Sequence, residues 1–298
     1  MTTATEIRPR ATAGAGTQAR KPARRGGWLP TVVLLLGAVY TLLPVLWVVM
    51  ASTKSRSELF NTFTLAPGSG FWQNLRDLSS YRDGEYWQWM LNSLLYAGGG
   101  ALLSAILSGV TGYALAKYRF AGRNAVFNVL LAGVLMPPIV LAVPQYLLFA
   151  KVGLADTFWS VLLPSVVSPY GIYLARIYAA GAIPDDVLEA GRIDGSSEWR
   201  LFRSVAMPMM APGLITVFLF QFVAIWNNFL LPFIMLGDDR KFPITVGLYT
   251  LLKQGAAAPA MYTLVIIGSL VSVLPLIALF LTLQRFWRLD LLSGAVKS

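Results

Sequence analysis

Two groups of polar residues interrupt a chain made mostly of Leu, Val, Ala, Ile and Phe, and each suggests chemistry. The first is Gln221, Trp226, Asn227 and Asn228, in or beside a long apolar run. Side-chain amides both donate and accept, and an indole offers a flat apolar face, which suits a hydroxyl-rich solute. The same amides serve as glue between helices, because an amide inside a membrane is costly unless paired. The second group is EAGRIDGSSEW, residues 189–199, flanked by Asp185, Asp186 and Arg200. Neither group is catalytic equipment. The chain has no Cys and no His, which excludes disulfides, thiolate nucleophiles, histidine bases and the usual zinc sites. It also lacks a G-x-x-x-x-G-K-[ST] phosphate loop, so ATP is not bound by that route. No catalytic residue and no metal ligand set is assigned.

The punctuation of the charged island predicts two short helices around a turn. Pro184 suits a first helical turn, where its missing N–H costs nothing. Asp185 and Asp186 then sit at the positive end of the helix dipole and Arg192 near the negative end, three residues after Glu189 and able to pair with it. Gly195 suits the left-handed residue that ends a helix, and Ser196 or Ser197 can cap the next, with Glu198 in its first turn. In that second helix Trp199, Phe202 and Val205 or Ala206 form an apolar stripe, as expected of a helix lying on a membrane face, and Pro208 and Pro212 bracket its junction with the next apolar run. Ala190 and Gly191 keep the middle of the first helix small, so another surface can come close. A loop that merely ties two spans together would read the same way.

The surroundings of these groups are those of a membrane protein. Of 298 residues, 56% are hydrophobic and 13% charged, against about 25% charged in a soluble domain. Residues 1–27 are polar and basic, as in a disordered tail. Residues 28–50 carry no charge and span about 35 Å as a helix, enough for a hydrocarbon core of about 30 Å. A cleaved signal peptide ending near Val49-Met50-Ala51 is the rival, but the apolar run is longer than the usual h-region. After a mixed segment, 51–87, five more apolar spans are predicted near 90–115, 125–150, 157–178, 211–236 and 262–287. With the N-terminus inside, sixteen basic residues fall inside and eight outside, while acids divide seven and seven. That bias places both termini and the island in the cytoplasm, and 51–87 outside. Gly100, Ser104, Ser108 and Gly112 share one helix face and allow close approach of another helix, in this chain or in a partner.

The residues EAGRIDGSSEWRLFRSVAMPMMAP, 189–212, resemble the EAA loop of the permeases of ATP-binding-cassette importers. Glu189, Ala190, Asp194, Gly195 and Pro208 stand where that pattern has them; Gly191 replaces its third small residue and Met207 its Leu before Pro. The similarity extends to WMLNSLLYA (89–97), KYRFAGR (117–123), LMPPIVLAVPQYLLF (135–149), WNNFLLPFIML (226–236) and the QRF and GAVKS of 284–298, all similar to the carbohydrate-uptake subfamily and to its six-span, MalG-like partner. WRLDLLS at 287–293 departs from that pattern.

The resemblance implies an all-α, polytopic, six-helix type I permease in a bacterial cell membrane. Its core at 88–286 would carry the coupling loop at 184–208 and end in a cytoplasmic tail at 287–298. The implied partners are a second, MalF-like permease, two ATPase subunits that bind ATP and magnesium, an extracellular solute-binding lipoprotein that meets outward segments such as 51–87 and 237–260, and membrane lipid. No cofactor is expected on this chain itself. In that frame Glu189, Ala190, Gly191, Asp194 and Gly195 couple to the ATPase, and Gln221, Trp226, Asn227 and Asn228 are candidates for the solute path. Cellobiose, maltose, trehalose, a xylo-oligosaccharide and glycerol phosphate all stay open as solutes. A channel or secondary carrier is disfavoured by spans nearly free of ionisable residues. A membrane enzyme is disfavoured because the acids are confined to loops, and nucleic-acid binding because the basic residues form no single stripe.

Overall fold

The computed structural model describes residues 28–295 except 256; no side chain is described at 285 or beyond 286. The expected basic tail, 1–27, lies outside the described residues. Among the described residues there is no strand. The chain divides into two units at residues 45 and 46. The first consists, in its described part, of most of helix α1 (Trp28–Ser52), with a mean hydropathy of 2.5.

The second unit carries α2 (Arg56–Asn61), α3 (Phe71–Ser80), α4 (Glu85–Lys117), α5 (Arg123–Leu135), α6 (Pro138–Lys151), α7 (Phe158–Val166), α8 (Pro169–Ala182), α9 (Asp185–Ile193), α10 (Glu198–Leu201), α11 (Met207–Trp226), α12 (Leu230–Met235), α13 (Ile244–Gly255) and α14 (Ala260–Ala295). Among the described residues five stretches are long and apolar enough to cross a membrane: Trp28–Ser52, Phe71–Lys117, Phe158–Ala182, Glu198–Trp226 and Ala260–Gln284. The pair α5–α6 makes up to six if it counts as one span.

Prolines set two of the departures from the predicted spans. The span expected over 125–150 is not one rod: α5 and α6 meet at 104°. A residue before proline avoids the helical region, and the run Met136-Pro137-Pro138 contains two such positions. Met136 sits at φ −76°, ψ 124° and Pro137 at φ −62°, ψ 127°, both extended. Ser168, before Pro169, is likewise extended and breaks α7 from α8, capping the latter by accepting from Gly171 N–H at 3.0 Å. The span expected over 211–236 ends at Trp226, and 230–235 forms the separate α12. Segment 51–87 is more than connection, for it folds into α2 and α3. Ser55 and Glu58 form a capping box on α2, and buried Asn74 donates to the carbonyls of Ser52 and Lys54. Residues 287–295, expected as a tail, continue the backbone of α14.

At the centre α4 packs against α8 and α11. The small-residue stripe makes this possible. A Cβ on Gly112 would lie 2.6 Å from the backbone N of Arg176, and one on Gly100 would lie 2.8 Å from Ile225 Cδ1. Ser104 and Ser108 are buried on the same face, with Ser108 against Gly171 of α8. The stripe is therefore spent on contacts within this chain. Two apolar cores result. One gathers Trp89, Tyr96, Val161, Phe222, Trp226 and Ile267; the other gathers Tyr113, Ala175, Ile183, Leu188, Leu201 and Met210. The second core lies directly beneath the charged island.

Candidate functional site

The island folds as a short helix joined to its neighbours by a proline joint at one end and a glycine turn at the other. Ile183, before Pro184, is extended at φ −111°, ψ 106°. Pro184 is the residue preceding α9 rather than its first helical residue, at φ −64°, ψ 140°. Asp185 and Asp186 begin the helix. At its end Gly195 takes φ 78°. Its N–H donates to Arg192 O and that of Ser196 to Gly191 O, both at 3.0 Å, the paired bonds of a Schellman ending. Only glycine adopts that φ without strain. Ser197 then caps α10, accepting from Arg200 N–H at 3.4 Å.

Leu188 is the one buried residue of α9, seated in the second core. Glu189, Ala190, Asp194 and Gly195 are exposed. Gly191 is half-buried, and a Cβ there would run into Leu201 Cδ2. Its smallness is thus used inside the chain, where α9 folds back on α10, whereas Ala190 keeps the outer face low. Ile193 is 86% exposed and Trp199 67% exposed. The stripe expected to run through Trp199 instead uses Leu201, Phe202 and Ala206, all buried. Nor is the second helix a separate surface element. α10 passes through a π turn, Phe202–Ala206, into α11. Pro208 has no N–H for the carbonyl of Ser204, and the turn before it loosens so that Met207 N–H reaches Phe202 O.

The electrostatics differ from the simple helix pair expected. Arg192 does not pair with Glu189. Its Nε and Nη2 donate to Glu198 Oε1 and Oε2 at 2.6 and 3.2 Å, across the turn, because the Schellman ending brings α10 back beside the last turn of α9. Tyr118 OH donates to Glu198 Oε2 at 2.7 Å, and Lys117 Nζ donates to Ile183 O and Asp185 Oδ1 at 2.6 and 2.7 Å. The Lys117 hydrogen bond holds the Asp185 carboxyl below the usual carboxylate range. Burial first, and the Glu198 carboxylate second, push the Tyr118 phenol up, so it stays a donor. The roles of Lys117, Tyr118 and Leu188 were not read from sequence. The charge opposite 185 and the aromatic beside it were visible in KYRFAGR, but nothing local links positions 68 and 80 residues apart.

The solute-path candidates do not converge. Gln221 Nε2 donates to Ser165 O at 3.0 Å. That carbonyl is the one Pro169 cannot serve from four residues on. Trp226 is buried and stacks on Phe222 with ring centroids 5.7 Å apart. Asn228 Oδ1 accepts from Leu231 N–H, and its carbonyl accepts from Thr245 Oγ1. Asn227 is exposed and donates to Val223 O of its own helix. At the other end of α4, Trp89, Asn92, Ser93 and Tyr96 hold the backbone of residues 239–244. Their partners are the carbonyls of Asp239, Arg240, Phe242 and Lys241 and the N–H of Ile244. Among the described residues no group of three or more acids could hold a metal.

A model of the family of binding-protein-dependent transport system inner membrane components matches residues 90–288. This chain belongs to that family. It is a multi-pass permease component of an ATP-binding-cassette importer and not an enzyme. It is similar to the arabinooligosaccharides transport system permease protein AraQ of Halalkalibacterium halodurans, 32% identical over 273 residues, which is 91% of this chain and 96% of that protein. It is also similar to the diacetylchitobiose uptake system permease protein NgcG of Streptomyces coelicolor, 29% identical over 88% of this chain and 86% of that one. Its fold matches a chain of a bacterial ABC transporter involved in the import of the acidic polysaccharide alginate, with TM-score 0.77 and 23% identity, over 90% of this chain and 99% of that one.

Proposed function

We propose that this permease imports an oligosaccharide, and that α9 with its flanking turn is the piece seated in a cleft of a separate ATPase subunit. The observation that carries the coupling reading is the two-sided character of α9. One side is pinned by Leu188, while the other exposes Glu189, Ala190 and, at its end, Ile193. A large aliphatic side chain left 86% exposed beside a low Ala surface suits a protein cleft better than water. ATP and magnesium belong to the two ATPase subunits in this reading. A second, MalF-like permease completes the path, and an extracellular lipoprotein delivers the solute to outward segments that include 51–87. Both termini and α9 lie in the cytoplasm, as the distribution of basic residues favours.

Sugar rests on the relatives' solutes and on Asn227, which caps the end of α11. Three of the four candidate residues are committed to packing. Gln221 and Asn228 are bonded across helix breaks and Trp226 is buried. Asn227, exposed at the end of α11, is the candidate kept for solute contact. Uptake of labelled arabino-oligosaccharide, diacetylchitobiose and glycerol 3-phosphate, in cells with and without this chain, tests the reading. Chain-dependent uptake of a saccharide is expected; uptake of glycerol 3-phosphate alone would replace sugar with that solute.

A further inference from the structure

Two adjacent residues at the end of α4 hold the two ends of α9. Lys117, the last residue of α4, donates to Ile183 O and Asp185 Oδ1 at the start of α9. Tyr118, the next residue, donates to Glu198, whose two oxygens take the Arg192 guanidinium from the last turn of α9. The Lys117 side chain is only 6% exposed, so its ammonium lies in a closed seat rather than on a free surface. Otherwise α9 buries Leu188, lays Gly191 against Leu201 of α10, and is joined to its neighbours by an extended Ile183-Pro184 pair and a left-handed glycine turn. Such joints transmit little torque by themselves, since a few φ/ψ angles can absorb a displacement.

We infer that Lys117 and Tyr118 are positioning residues that clamp α9 to α4, making the two a single lever for the ATPase stroke. α4 is suited to be its long arm. It runs 33 residues without a proline, contributes to both cores, and ends in side chains that grip residues 239–244. From Asn92 to Lys117 it spans about 38 Å at 1.5 Å per residue. A push on α9 is thereby delivered to α4 directly, and not only through the joints to α8 and α10. The inference rests on the reading of α9 as the ATPase seat.

The test uses the assembled importer and the absence of cysteine from this chain. Spin labels are placed at Asp186→Cys on α9 and Val110→Cys on α4, both exposed, and distances are measured with and without ATP and vanadate. In the parent chain one narrow distance is expected in both states. In Tyr118→Phe and Lys117→Met a second, longer distance appears on trapping, its population raised about tenfold by loss of a hydrogen bond to a charged partner. Lys117→Arg, which keeps both acceptors served, restores the single distance. A single unchanged distance in the variants in both states overturns the clamp. Maleimide labelling of Ala190→Cys, with and without the ATPase bound, separates this from failure of the underlying reading. Protection combined with unchanged distances removes the clamp alone, and equal labelling removes the coupling reading and the clamp together.

Discussion

At the residue scale, small side chains and prolines set how closely the helices pack and where they break. Gly112 lies against the backbone of α8, which cannot retreat as a flexible side chain would. Gly112→Ala is expected to cost about 1–3 kcal/mol by overpacking and to lower the yield of folded permease in detergent, whereas Gly181→Ala, with open space around it, leaves the yield unchanged. Gln221→Leu strands the Ser165 carbonyl that Pro169 already deprives of a donor, at about 1–3 kcal/mol. Its melting temperature should fall while the half-saturating solute concentration stays put. Asn227→Ala should do the reverse if Asn227 touches solute. At Gly195 the space is open and only the φ of 78° resists a side chain. Gly195→Val is expected to cost about 1–2 kcal/mol in the turn and to uncouple solute-stimulated ATP hydrolysis, with Asn tolerated better. The Asp185 carboxyl is held below its ordinary 3.8 by Lys117. Its contribution is therefore complete above that value and lost as pH falls through the lowered one. Asp185→Asn should impair transport equally at the acidic and alkaline ends of the physiological range, and a defect confined to one end would assign the effect to another group.

At the scale of elements, the outline was legible and the joints only partly so. Hydropathy located α1, α4, α8, α11 and α14 because long apolar runs in a chain so poor in charge have few alternatives to crossing lipid. Gly195, Ser197 and the acidic start of α9 were legible because helix ends carry local signatures. The bend between α5 and α6 was written in Met136-Pro137-Pro138, yet a span predicted from hydropathy averages over it. The fate of Trp199 and the π turn before Pro208 could not be read locally. Which face of a helix meets the core depends on where its neighbours lie, and a one-residue loosening at 202–206 rotates every later side chain. The pairing of Arg192 with Glu198 rather than Glu189 was likewise set by the turn bringing α10 back. Ile193→Asp, which replaces the most exposed large hydrophobic residue of the coupling element, is expected to reduce co-purification of the ATPase several-fold while leaving the permease folded. Unchanged co-purification would move the contact elsewhere on α9.

At the scale of the molecule, the proposed function has this permease move solute by changing shape, driven by ATP hydrolysis on a separate subunit. That proposal draws on α4 running between two cores, a short helix seated over the second of them and a loop gripped at the far end. The proposed coupling requires that α9 meet the ATPase. The direct measurement places a photo-activated cross-linking residue at Ile193 in the assembled importer and identifies what it captures. A cross-link to the ATPase subunit is expected, its yield changing between nucleotide-free and ATP-bound states. Capture of lipid or of the second permease alone, with no ATPase adduct in either state, would contradict it.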